Sequence, residues 1–69
     1  MIGELRFPAQ LQRAPRRVDL PTAPLAGELL EHDGVMFRVA DRRFVVPMEG
    51  ESSVVLRLEL AEPAMEITL

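Results

Sequence analysis

The sequence predicts a small all-β fold: a five- to six-stranded antiparallel barrel of SH3-like type, or a sandwich completed by oligomerisation. Three observations support this. Short apolar runs alternate with polar residues at the period of a strand, an Asp33-Gly34 pair separates two such runs, and no stretch shows sustained helical periodicity. Because the chain has only 69 residues, residues 1–69 are expected to form one small β domain.

Residues 25–48 are predicted to form a central three-stranded meander. Its first turn is Asp33-Gly34, because a two-residue hairpin turn needs positive φ at both central positions, which Asp and Gly tolerate. This turn sets Leu30 opposite Phe37 on the core face of the hairpin. The third strand of the meander is predicted at residues 44–48.

Three further strands are expected outside the meander. Residues 2–7 place Leu5 and Phe7 on one side, and Pro8 ends the run. Residues 54–61 give the cleanest alternation in the chain, with one wholly apolar face. A last strand is predicted at residues 65–69.

Residues 8–24 form a segment rich in proline, which excludes a long helix or a central strand. One helical turn is expected directly after Pro8, since proline is tolerated at the first helical position. A short edge strand is expected at residues 17–20. We interpret the segment as a stiff arm that wraps either its own barrel or a neighbouring subunit.

Composition narrows the range of functions. All eight basic residues are arginine, lysine is absent, and the formal net charge is −3. Arginine without lysine suggests a GC-rich coding sequence, as in a bacterium or its phage. The acidic balance argues against a general nucleic-acid binder.

The chain has neither a signal-peptide pattern nor an apolar run long enough for a membrane, so we expect a cytoplasmic protein with no membrane partner.

Residues suited to catalysis or metal binding are few. Without cysteine and with a single histidine, the sequence offers no disulfide, no thiolate ligand and no ordinary zinc site. His32 has one candidate orienting carboxylate, Glu28, on the same face, but a position beside the turn predicts an exposed residue without a catalytic role. We therefore expect no enzyme, no cofactor and no metal.

Two arginine clusters are the candidate binding residues. One lies in the proline-rich arm and the other in a predicted tight turn within the meander. The five residues are Arg13, Arg16, Arg17, Arg42 and Arg43. Guanidinium groups bind phosphate or carboxylate in a bidentate manner, so a nucleotide or nucleic-acid phosphate is the alternative ligand. The other interpretation is that these arginines are solvated charges in loops and bind no ligand. The three phenylalanines sit at positions that alternate like core residues, which leaves no aromatic platform for bases.

Apolar residues on the outer strand faces predict an interface. Leu29, Met36, Val45 and Val55 must be covered either by closure of the barrel or by another chain. The sequence therefore predicts a non-enzymatic protein-binding module that self-associates as a homo-oligomer. Its expected role is that of a small accessory, regulatory or inhibitory factor that docks on a protein partner.

Overall fold

The computed structural model describes residues 1–61. The predicted strand at residues 65–69 lies outside the described residues. In chain order the elements are β1 (Ile2–Arg6), the 3₁₀ helix η1 (Ala9–Leu11), β2 (Arg16–Asp19), β3 (Leu29–His32), β4 (Val35–Val45) and β5 (Ser53–Leu60).

The five strands form one sheet in the order β2-β1-β5-β4-β3, curled into a half-barrel. The predicted small all-β, barrel-like fold is thus confirmed. The sheet is mixed rather than wholly antiparallel, because β1 and β5 run parallel. No tight turn joins these two strands, so nothing local fixes their relative direction.

The β3–β4 hairpin follows the predicted register. Asp33 and Gly34 have φ of 56° and 78°, as a two-residue turn with two left-handed positions requires. Leu30 lies opposite Phe37. Phe37 is fully buried and Leu30 is half-buried against the core, so the inner face of the hairpin is as predicted.

The prediction of a turn at Arg42 and Arg43 followed by a third strand at residues 44–48 is wrong. A single 11-residue strand, β4, runs from Val35 to Val45. Its register against β5 shifts by one residue between Val39 and Asp41, so Ala40 is an extra residue in a β-bulge. The bulge breaks the period-2 alternation along the sequence, which is why residues 41–43 resemble a polar turn.

The core is formed by three adjacent strands. Its six buried apolar side chains come from β1, β4 and β5: Leu5, Phe37, Val39, Val54, Leu56 and Leu58. These strands occupy neighbouring places in the sheet, so their inward residues meet on the concave side. Burial is concentrated in β5 and in the part of β4 before the bulge.

The proline-rich arm packs on its own sheet. Leu11, Val18, Leu20 and Ala23 all contact the core cluster. The helical turn after Pro8 appears as η1, and the expected edge strand appears as β2. After β2 the chain passes to β3 at the opposite edge of the sheet, so this connection helps to cover the concave side. Of the two interpretations of the arm, the structure shows the one in which it wraps its own domain.

Candidate functional site: an apolar tip and a basic pocket

The predicted arginines do not converge on one surface. In β2, Arg17 lies opposite Glu4 on the outer face. Arg43 lies opposite Val55 on the outer face of β4. The turn expected to present Arg42 and Arg43 together is a strand, so their side chains alternate to opposite faces.

Arg42 binds the chain itself. Its Nη1 donates to the carbonyl oxygens of Ala23 and Pro24, each at 3.4 Å. Its guanidinium also lies 5.1 Å from the ring centroid of Phe44. These contacts fix the connection between β2 and β3 on the sheet, so Arg42 has a structural role.

Arg13 and Arg16 come together beside the β3–β4 turn. The two side chains line a pocket of about 320 Å³ together with Phe7, His32 and Asp33. We call this the basic pocket. Phe7 lies at its centre, because the Arg13 guanidinium and the His32 ring lie 5.5 and 5.7 Å from the Phe7 ring centroid.

His32 differs from the sequence-based expectation. It was expected to be exposed beside the turn, but it is half-buried against Phe7. The carboxylate of Glu28 does not orient it in the manner considered above, since Glu28 Oε1 accepts a hydrogen bond from the Leu25 N–H at 2.6 Å. Packing of Phe7, which directly follows β1, onto the hairpin decides this position.

The candidate interface residues remain largely uncovered in the part of the chain described. Leu29 and Met36 are exposed on the outer face of the β3–β4 hairpin, and Val45 is exposed at the end of β4. Val55 is half-buried on the outer face between Glu4 and Arg43. Within residues 1–61, three of the four candidate interface residues therefore remain accessible.

A larger apolar surface follows at the end of β4. Phe44 is 49% exposed, Val46 is 73% exposed and Met48 is fully exposed. Together with Val45 we call these residues the apolar tip. The prediction that Phe44 alternates as a core residue is wrong, because Phe44 is half exposed and no strand within residues 1–61 covers this end of the concave face. The uninterrupted apolar run at residues 44–46, in place of alternation, is the sequence signal that marks the tip.

An ion pair on the outer face of the sheet joins Arg57 of β5 to Asp41 of β4. Arg57 Nη2 lies 2.6 Å from Asp41 Oδ2, and Arg57 Nε donates to the same oxygen at 2.8 Å. This hydrogen bond, together with the charge of Asp41, raises the pKa of Arg57. Both side chains are more than half exposed, so the pair contributes little to stability.

Residues 1–61 contain neither a cluster of metal-binding side chains nor a membrane-spanning helix. No group of three His, Cys, Asp or Glu side chains is placed to hold a metal ion. No helix in this range is long and apolar enough to cross a membrane.

Comparison with known protein families, with curated proteins and with solved structures finds no match to this chain.

Proposed function

We propose that this chain is a non-enzymatic protein-binding module that self-associates through the open edge of β4 and the apolar tip. The observation that carries the proposal is a strand edge that has no partner among residues 1–61 and continues directly into exposed apolar side chains. Such an edge is a template for pairing with another chain.

The backbone of β4 after the bulge has a partner on one side only among the described residues. β3 pairs with Val35–Arg38, and the connection before β3 adds the bonds to Val39. Beyond that point only β5 accompanies β4. The second half of β4 is therefore an edge within the part of the chain described.

The hydrogen bonds between β4 and β5 show which way the backbone N–H and C=O groups of β4 point. The Ala61 N–H donates to the Met36 carbonyl, so alternate residues of β5, including Val55, turn their backbone groups toward β4. Arg43 lies opposite Val55 and turns its groups toward β5. The N–H and C=O of its neighbour Phe44 therefore point to the open side.

The side chains suit pairing with a second copy about a two-fold axis. An antiparallel pairing of two β4 edges centred on Phe44 sets the two Phe44 residues opposite each other. Arg43 then faces Val45 of the second copy, and Arg42 faces Val46. No two like charges are directly opposed, and an aromatic pair lies at the centre.

The test compares two variants with the same change in charge in the connection between β4 and β5. Val46→Asp places a carboxylate in the apolar tip, whereas Ser52→Asp places one at an exposed polar position of the same connection. Native mass spectrometry and light scattering over a concentration series measure the dimer dissociation constant. We expect Val46→Asp to raise it at least tenfold and Ser52→Asp to leave it within about twofold.

Amide hydrogen exchange provides a second measurement. The Phe44 amide should exchange quickly in dilute protein and slow down as the dimer forms, since its N–H then has a partner. A monomer at every concentration, or equal effects of the two aspartates, would refute self-association through the tip.

The remaining elements of the proposal rest on the sequence. We propose a cytoplasmic accessory, regulatory or inhibitory factor of a bacterium or phage. It docks on a further protein, and its fold is a barrel of SH3-like type.

A further inference from the structure

We propose that the basic pocket is a binding site for a compact phosphate group, such as that of a small phosphate monoester. This inference concerns the end of the hairpin that carries the β3–β4 turn, whereas the apolar tip lies at the far end of β4. It therefore does not depend on self-association.

Three donor-bearing side chains surround one cavity. Arg13, Arg16 and His32 all line the pocket, together with the Phe7 ring. Guanidinium groups offer paired N–H donors that match the oxygens of phosphate, and an imidazole adds a further donor. Arg13 and Arg16 belong to the proline-rich arm and His32 to β3, so the fold brings two distant segments together at this pocket.

Arg13 and Arg16 have no carboxylate partner within residues 1–61, and unlike the other unpaired arginines they line one pocket together. Arg6 pairs with Glu4, and Arg57 pairs with Asp41. No ion pair in the described range involves Arg13 or Arg16, although Asp33 lies at the same pocket. Among residues 1–61 no carboxylate is paired with their donors, which supports the assignment of an external anion to them.

The packing around Phe7 defines the type of ligand. The Phe7 ring already contacts the Arg13 guanidinium, the His32 ring and the Phe37 ring, at 5.5, 5.7 and 5.5 Å. Phe7 therefore supports the cationic groups and is not free to stack a nucleobase. The site is suited to the phosphate group itself, and a nucleoside attached to it should add little affinity.

The test uses the only histidine of the chain as a probe. The single imidazole Hε1 proton resonance is followed by NMR while inorganic phosphate replaces chloride at constant pH and ionic strength. We expect a saturable shift of this resonance. The Arg16→Ala variant should require at least about tenfold more phosphate for half-saturation, in line with the loss of a charge-assisted hydrogen bond.

Arg17→Ala is the matched control. It removes the same charge from the adjacent residue, whose side chain lies on the outer face opposite Glu4. This variant should titrate like the original protein. A shift that does not saturate, or equal weakening in the two variants, would overturn the proposal, because it would show a general effect of net charge.

A second comparison tests the ligand class. Adenosine monophosphate and phosphoserine should bind with affinities within about threefold of each other if the phosphate is the recognised group. Much tighter binding of the nucleotide would contradict that inference. Neither result bears on the β4 edge, so this proposal and the proposed function fail independently.

Discussion

The two halves of β4 have the same backbone conformation but different surroundings. Before the bulge, Phe37 lies between β3 and β5, Val39 lies between β5 and the connection that precedes β3, and both are completely buried. After the bulge, Phe44 and Val45 have only β5 beside them within residues 1–61, and both are exposed. The comparison shows that neighbouring strands, rather than the hydrophobicity of β4 itself, decide whether its residues hold the fold together or remain available for binding.

The largest expected effect on stability comes from replacing the aromatic residue in each half of β4. Phe37→Ala should lower the free energy of unfolding by about 3–5 kcal/mol, because it leaves a cavity in the core. Phe44→Ala should lower it by less than about 1 kcal/mol, since half of the ring is already exposed. Urea denaturation of both variants, at a concentration where the protein is monomeric, measures the contrast. Equal losses would show that the second half belongs to the core.

The two turns that bound β4 provide an intermediate test. Gly34 has φ of 78° in the two-residue turn that fixes the register of the first half. Gly34→Ala should cost about 1–2 kcal/mol, because a side chain is strained in the left-handed region.

Gly50 is the matched control, with φ of 99° in the longer connection after β4. Gly50→Ala should cost less than Gly34→Ala, since a longer connection can adopt another backbone conformation. Thermal unfolding of the two variants gives the order. A larger loss at Gly50 would mean that the connection beside the apolar tip is as constrained as the hairpin turn.

The smallest effect on the free energy of unfolding is expected when the ion pair between Asp41 and Arg57, which follows the bulge, is broken. Asp41→Asn removes the partner of Arg57, and the loss of stability should be slight and should shrink as salt is added. Because Asp41 raises the pKa of Arg57, the contribution is complete below the unfolded-state pKa and is lost only as the pH rises through the higher folded-state value. Stability should therefore show no step at neutral pH from this pair.

A double-mutant cycle with Arg57→Gln, at low and high salt, measures the coupling between the two side chains. A strong coupling that persists in high salt would contradict the expected weakness of an exposed pair. It would also indicate that the second half of β4 is held more firmly than its exposure suggests.

The hairpin and the clean strand were predictable because their signals are local. Asp33-Gly34 defines the turn, and the turn defines which residues of β3 and β4 are opposite. Residues 54, 56 and 58 alternate without interruption, and all three are buried. Here the pattern of side chains and the chemistry of the turn agree.

The candidate sites were only partly predictable. The sequence singled out Arg13 and Arg16, but their meeting with His32 depends on the packing of Phe7 against the hairpin. It grouped Arg42 with Arg43 because they are adjacent, although strand alternation separates them. Phe44 was assigned to the core because the sequence does not show where a neighbouring strand ends.

By itself, then, the sequence determined the all-β character, the turn at Asp33-Gly34, the facing of β3 against β4 and the inward face of β5, because these depend on local backbone preference and period-2 alternation. The tertiary structure alone decided the parallel pairing of β1 with β5, the bulge at Ala40, the exposed edge of β4 and the pocket around Phe7. Each of these depends on contacts between segments that are far apart along the chain, and no local pattern records such contacts.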